Sequence, residues 1–363
     1  MSAHLETILA GRSICICVGS GGVGKTTASA AIAVAMAQRG LKVAVLTIDP
    51  ARRLADSLGL ADLGNVPSPV GLGEAGGDGE LWAMMLDPKA TFDEVIQRYS
   101  PDEEARQRII GNRIYQQISG ALAGSQEYMA MEKLYELDED GDFDLLILDT
   151  PPSRNALDFL DAPRRVTQFV EGRAMRLFVR PTGFGARIAG RGFSVVSSVL
   201  RRVTGGDLIA DLSEFFSAMA VLLGGFRERA ERVEGLLRDE RTTFLVVTGP
   251  AGEPVKEAGY LRSKLAEGDL PLGAVIVNRV HTLTSDTGEQ REALAELIED
   301  EDLLDRILAA YEARRLLAAR DRENIASLRA GSPGVPVFEV PELSDEIHDL
   351  PGLAEFARLL MPE

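Results

Sequence analysis

The chain has 363 residues, 45% of them hydrophobic, enough to bury a large core as one big domain or as one domain carrying an insert. Its formal charge of −17 argues against general nucleic-acid binding. No apolar run reaches the length of a transmembrane helix, and Met1 to Arg12 lack the basic and apolar regions of a signal peptide, so a cytoplasmic location is expected.

The first readable element is Ser13–Val18, a short apolar, β-branched run that predicts a buried strand. It carries both cysteines, Cys15 and Cys17, two apart and so on one face, where packing is their expected role. A disulfide at that spacing is geometrically poor. With no Cys-x-x-Cys and with His4, His281 and His348 scattered, a zinc or iron–sulfur site within one chain is not expected.

Next comes the most telling stretch, Gly19-Ser20-Gly21-Gly22-Val23-Gly24-Lys25-Thr26-Thr27. Gly19 through Gly24, Lys25 and Thr26 match the phosphate-binding P-loop, G-x-x-x-x-G-K-[ST]. The Ala-rich run Thr26–Arg39, closed by Gly40, predicts the helix that should follow. Strand, glycine loop and helix together aim backbone N–H groups and a helix N-terminus at a polyphosphate. Lys25 is placed to reach the β- and γ-phosphates, Thr26 to ligate Mg²⁺, and Thr27 to donate to the α-phosphate.

Strands are then predicted over Lys42–Ile48, Leu81–Leu86, Phe143–Leu148, Thr243–Val247, Ala274–Val277 and Val337–Val340. Most are continuous apolar runs, as strands covered on both faces require. Alternation with helices predicts an α/β fold, a doubly wound and mostly parallel sheet. Two helical stretches interrupt it, Thr91–Asp140 (clearest over Ser125–Leu137) and Asn155–Arg238 (longest over Leu208–Leu237). The expected organisation is one domain, 1–363, with a helical subdomain contributed by about 88–140 and 160–238. Gly71–Gly79 reads as a surface loop and Arg180–Gly192 as a basic one. From Arg164 to Arg202 there are nine Arg, no Lys and one acid, Glu171. That segment is either a docking face for an anionic surface or a charged face balancing an acidic protein. Leu353–Leu360 is short and mixed, not the basic amphipathic helix of a membrane-binding tail.

Acidic residues stand where strands end, the usual place for ligand chemistry in such sheets. Asp149 closes the apolar run Leu145-Leu146-Ile147-Leu148 as a Walker B carboxylate does, able to hold Mg²⁺ directly or through water. Asp49 closes Leu46-Thr47-Ile48. Asp56, seven residues on, is either a solvated helix residue or a carboxylate that orients the attacking water.

With these motifs in place, nearly the whole chain resembles the family that contains the arsenite-pump ATPase ArsA and the eukaryotic ATPase that targets tail-anchored membrane proteins. Thr47 through Asp56 is similar to its switch I, and Asp149-Thr150-Pro151-Pro152-Ser153-Arg154-Asn155-Ala156-Leu157 to its switch II. Val277-Asn278-Arg279 resembles its adenine-reading loop, Pro341-Glu342-Leu343 with Glu346-Ile347 its C-terminal adenine-side segment, and Gly120 to Tyr128 the entry to the helical subdomain of bacterial members. The resemblance implies a P-loop NTPase of the SIMIBI class, with its deviant Walker A loop, using ATP and Mg²⁺. It implies that Asp56 orients water, that Lys25 acts on the phosphates, that Thr26, Asp49 and Asp149 serve the metal, and that Asn278, Pro341 and Leu343 contact the base. It also implies a homodimer, or a heterodimer with a paralogous ATPase, that closes over ATP and opens after hydrolysis to energise transport or deliver a hydrophobic or membrane-protein client. A peripheral position at the inner membrane face fits such a role.

Three departures stand out. Ser20 occupies the position of the family's signature Lys, which reaches across the dimer, so Arg52, Arg53 or a paralogous partner would have to supply that charge. The arsenite-binding cysteines and the zinc-binding Cys-x-x-Cys of the two named members are both missing. The alternative function is a MinD- or ParA-like positioning ATPase on membrane or nucleoid, which the long helical stretches disfavour. A nitrogenase-like redox ATPase fails because the cysteines precede the P-loop. A binding module without catalysis rests on Ser20 alone, and Asp56 and Asp149 argue against it.

Overall fold

The β-branched run ahead of the P-loop forms β1 (Ile14–Val18) in a computed structural model of the chain. The structure describes residues 4–49, 53–73, 76–118, 126–151, 225, 228–283, 294–298, 300–343, 345 and 347–362. Arg52, the switch II residues after Pro151, Gly120 to Ser125, the basic segment Arg164–Arg202 with its loop Arg180–Gly192, most of Leu208–Leu237, and Glu346 lie outside them.

Contacts divide the chain into two compact units, one comprising Met1–Met85, Gly141–Leu157 and Arg238–Glu363, the other Leu86–Asp140 and Asp158–Leu237. The first holds an eight-stranded sheet in the order β3-β4-β2-β5-β1-β6-β7-β8. Its strands are β1, β2 (Lys42–Thr47), β3 (Ser68–Val70), β4 (Glu80–Met85), β5 (Leu145–Asp149), β6 (Thr242–Thr248), β7 (Leu272–Val280) and β8 (Val337–Pro341). All pair in parallel except β3, which runs antiparallel to β4. The fold is the expected α/β P-loop architecture. β3 was not anticipated: three residues with a central Pro69 give no alternation to read, and proline is tolerated there because the strand is an edge.

The central strands β1, β5 and β6 are buried at every residue, which explains their apolar runs. On one face Cys15, Cys17, Val43, Val45, Leu145, Ile147, Leu245 and Val247 meet the alanines of a long helix. Ile14, Ile16, Leu46, Leu146, Leu148, Phe244 and Val246, alternating with them, are equally buried. A hydrogen bond with Cys17, then burial, pushes the Cys15 thiol well above its ordinary value, so this thiol packs and does not react.

Of the helices, α1 (Leu5–Leu9) precedes β1, α2 (Lys25–Gln38) follows the P-loop, and α3 (Arg53–Ser57) follows β2. In the second unit α4 (Pro88–Tyr99) and α5 (Glu103–Ile110) are capped by Asp87 and Asp102, whose carboxylates accept from first-turn N–H groups. They are followed by α6 (Arg113–Ile118), α7 (Gln126–Asp140) and α8 (228–238). Back in the first unit, α9 (Gly252–Glu267) packs on β6 and β7, α10 (Glu301–Ala330) packs on α9 and β7, and α11 (Leu350–Leu360) packs on α2.

Two of these elements refine the sequence reading. The tail around Leu353–Leu360 is a strongly amphipathic helix, yet its apolar residues Leu353, Phe356, Ala357 and Leu360 are buried in the core shared with α2. Asp149 is the last residue of β5 itself, in register with Cys17 of β1 and Thr47 of β2, so the sheet fixes it between both neighbours.

Candidate functional site

The C-terminal ends of β1, β2, β5 and β7 converge on a cleft of about 730 Å³, entirely within the first unit. Strand order explains the location: β1 is flanked by β5 on one side and β6 on the other, so chain connections diverge there and leave a crevice. Its lining includes Gly22, Gly24, Lys25, Thr26, Asp49, Asp56 and Asn278. Thr27, Pro341 and Leu343 also line it.

Gly24 is the hinge of the loop. It precedes α2 with φ +91°, a left-handed conformation open to glycine, and a β-carbon there would fall 2.2 Å from Asn278 Nδ2. Gly19 is constrained by space, because a β-carbon on it would fall 2.0 Å from the Val247 carbonyl oxygen. These two contacts press the loop against β6 and β7.

Lys25 opens α2 and is buried; its Nζ donates to the Ser20 carbonyl at 2.8 Å. Burial pushes its pKa below the ordinary lysine value, while Asp149 and Asp49 pull the other way. Ser20 turns its backbone to Lys25 and keeps a buried hydroxyl with no hydrogen-bond partner.

Thr26 Oγ1 donates to Asp149 Oδ2 at 2.7 Å, and Thr47 Oγ1 donates to the same oxygen at 3.0 Å. Asp149 is fully buried and its other oxygen, Oδ1, has no partner. Burial raises its pKa to about 6, against the opposing pull of Thr26, Thr47 and Lys25. An orphaned, buried carboxylate oxygen is costly, and one whose twin oxygen accepts from the P-loop hydroxyl of Thr26 fits a hydrated divalent cation. Asp49 stands nearby, 8% exposed, with the Arg53 guanidinium 3.8 Å from Oδ2. Among the described residues no group of three or more His, Cys, Asp or Glu could hold a metal ion. Thr26, Asp149 and Asp49 offer hard oxygen donors, of the kind that would suit a divalent cation whose other ligands are water and phosphate.

Asp56 lies on α3 and is exposed to the cleft. Asn278 is buried, 5% exposed, with its amide turned to protein: Nδ2 donates to the Val23 carbonyl at 3.0 Å and Oδ1 accepts from Arg279 N–H at 2.9 Å. That leaves one N–H and one lone pair for a ligand.

Sequence reasoning gave no role to Thr47, quoted only in the run before Asp49 and as the first residue of the switch I stretch. It also missed Thr150, whose Oγ1 donates to the Cys17 carbonyl at 2.8 Å and ties β5's exit to β1. Arg279, quoted only as part of a motif, lines the cleft too.

The profile of the anion-transporting ATPase family, ArsA, matches residues 12–320. The chain is 27% identical to the ATPase GET3C of Arabidopsis thaliana over 257 residues, covering 67% of this chain and 61% of that protein. It is 28% identical to the ATPase GET3B of Arabidopsis thaliana over 261 residues, 67% of this chain and 58% of that protein. With the ATPase ASNA1 homolog of Trypanosoma cruzi (strain CL Brener) identity is 25% over 333 residues, 89% of this chain and 80% of that protein. The chain thus spans about three fifths of the length of the two Arabidopsis relatives. A profile match over most of the chain establishes that the chain belongs to the anion-transporting ATPase (ArsA) family.

Proposed function

We propose that this protein is a Mg²⁺-dependent ATPase whose cycle of ATP binding and hydrolysis drives a dimer between closed and open forms. The observation that carries the reading is the Asp149 carboxylate: two threonine hydroxyls hold one oxygen, and the other is left bare beside the P-loop.

In this mechanism the P-loop amides and the N-terminus of α2 bind the β- and γ-phosphates, and Lys25 leaves the Ser20 carbonyl to pair with their oxygens. Thr26 would ligate Mg²⁺ directly, with Asp149 and Asp49 holding its waters. The bound ion would neutralise charge on the bridging phosphates. Asp56, exposed in the cleft, orients a water whose oxygen bonds to the γ-phosphorus as the bond to the β-phosphate oxygen breaks; ADP leaves with that oxygen and the water's proton ends on the released phosphate. Asn278, Pro341 and Leu343 take the adenine side.

The dimer, whether of two copies or with a paralogous ATPase, and a hydrophobic or membrane-protein client are proposed from family membership alone. Among the described residues no helix is long and apolar enough to cross a membrane. A MinD-like tail helix gains no support, since the apolar face of α11 is taken up by α2.

The test is phosphate release from ATP with Mg²⁺ titrated from zero, alongside calorimetric ATP binding. The wild type should hydrolyse ATP only with the cation, and Lys25→Ala should lose tight binding. A wild-type protein that binds no ATP would overturn the reading.

A further inference from the structure

Arg279 has a backbone conformation that a side chain disfavours, with φ at +60°. It sits where β7 slips register against β8, between Val277 and Val280. A non-glycine residue in the left-handed region persists only where its surroundings hold it there, and such residues gather at ligand sites.

The surroundings here are explicit. Arg279 N–H donates to Asn278 Oδ1 at 2.9 Å, and the Glu342 N–H donates to the Val280 carbonyl at 3.0 Å. Just downstream His281 donates its backbone N–H to Asp321 Oδ2 at 3.2 Å, and its Nδ1 lies 2.6 Å from the same oxygen. Asp321 is fully buried on α10. The strained turn is thus clamped from both ends. Its product is the position of one side chain: Arg279 Nη1 reaches the Gly22 carbonyl at 3.5 Å, on the P-loop itself.

The charges around it give that position a use. Lys25 is bonded to Ser20, and Arg53 leans on Asp49. Among the described residues Arg279 has no carboxylate at ion-pair distance, although Asp56, Glu342 and Asp345 line the same cleft. A planar guanidinium with unused N–H groups is the side chain best shaped for phosphate oxygens.

We propose that Arg279 binds the phosphate chain of the nucleotide, aimed there by the bulge that ends β7. The inference rests on the nucleotide reading of the cleft.

The experiment measures binding to the full chain by displacement of a fluorescent ATP analogue. The competitors are MgATP, inorganic pyrophosphate and adenosine, tested on the wild type, Arg279→Gln and Arg279→Gly. Both variants should weaken MgATP and pyrophosphate on the order of tenfold and leave adenosine unchanged. Glycine accepts a positive φ, so Arg279→Gly should melt no lower than the wild type, which separates lost contact from lost fold. Unchanged pyrophosphate affinity in both variants would overturn the proposal, as would a loss confined to adenosine, which would make Arg279 a base-stacking group. If the wild type binds ATP and Lys25→Ala does not, the nucleotide reading survives either result. A wild type that binds no ATP removes both.

Discussion

Asn278 and Gly24 are fitted to each other: the Asn278 amide nitrogen stands 2.2 Å from where a Gly24 β-carbon would lie, and donates to the adjacent Val23 carbonyl at 3.0 Å. The first residue of the bulge in β7 is thereby locked to the turn that starts α2. Gly24→Ala must expel the amide and also bear a φ of +91°. The conformational part alone costs about 1–3 kcal/mol. We expect a lower thermal midpoint and loss of measurable ATP binding by calorimetry. Asn278→Ala should leave the loop intact but less firmly held, with weaker ATP binding and a smaller loss of stability than Gly24→Ala.

Asp149 sets a pH dependence whose sign follows from burial. Its pKa rises from 3.8 to about 6 in the folded protein, so the folded state holds the proton more tightly than the unfolded chain does. Stability from this group is complete below about pH 4 and is lost as pH climbs through 6. The change amounts to about 3 kcal/mol at most, from roughly 1.4 kcal/mol per unit. Asp149→Asn removes the titration. Between pH 4 and 7 the urea midpoint of the wild type should fall relative to that of the variant, so the variant without ligand should be the more stable at neutral pH. Binding of MgATP should show the opposite trend in the wild type, tightening as the carboxyl ionises, and should be lost in the variant. Parallel pH profiles for the two proteins would refute the assignment.

In the second unit Glu132 and Arg229 form a buried ion pair. Arg229 Nε donates to Glu132 Oε2 at 2.9 Å, Nη2 bonds the same oxygen, and Tyr128 OH bonds Oε1. The guanidinium carbon also lies 4.0 Å from the centroid of the Tyr99 ring. Glu132 is 1% exposed, so removing either charge strands the other away from water. Glu132→Gln should cost roughly 3–5 kcal/mol, and the double variant Glu132→Leu with Arg229→Met should recover much of it. Chemical denaturation of the wild type, Glu132→Gln and the double variant checks this, and a double variant no more stable than Glu132→Gln would refute it.

The parts of the molecule legible in sequence are those governed by short-range rules. The β1 strand, the loop from Gly19 to Thr27 and the α2 helix follow one another within a few residues, and each has a local signature. Strand ends were less legible. The pattern at Ala274–Val277 stops where the register slip begins, and β7 continues through Asn278 and Arg279 to Val280, which pairs with β8 again. No local propensity encodes a left-handed arginine; it follows from partners as distant as Asp321. Thr47 likewise gains its role only when the parallel register sets it beside Asp149, 102 positions away. The tail, read as short and mixed, forms an amphipathic helix, and what buries its apolar face, α2 from the other end of the chain, has no signature near Leu353–Leu360.

Asp56 is the remaining carboxylate to be tested, and its position separates it from the others. Asp149 is fully buried and Asp49 nearly so, each within reach of a cation or guanidinium, whereas Asp56 is exposed on α3. An exposed carboxylate in the cleft can exchange and orient water, which a buried one bonded to two hydroxyls cannot. Asp56→Asn keeps the size and removes the charge. Calorimetry should find its affinity for MgATP within a small factor of the wild type, because binding rests on the P-loop and Asp149. Phosphate release should drop by roughly 10²- to 10⁴-fold, the usual loss when a group acting on the water proton is removed. In a dimer that opens only after hydrolysis, the variant should also accumulate as the closed species in ATP, visible by size-exclusion chromatography with light scattering. Turnover at the wild-type rate would return Asp56 to the status of a solvated helix residue and shift the positioning of water to a group on the switch II segment.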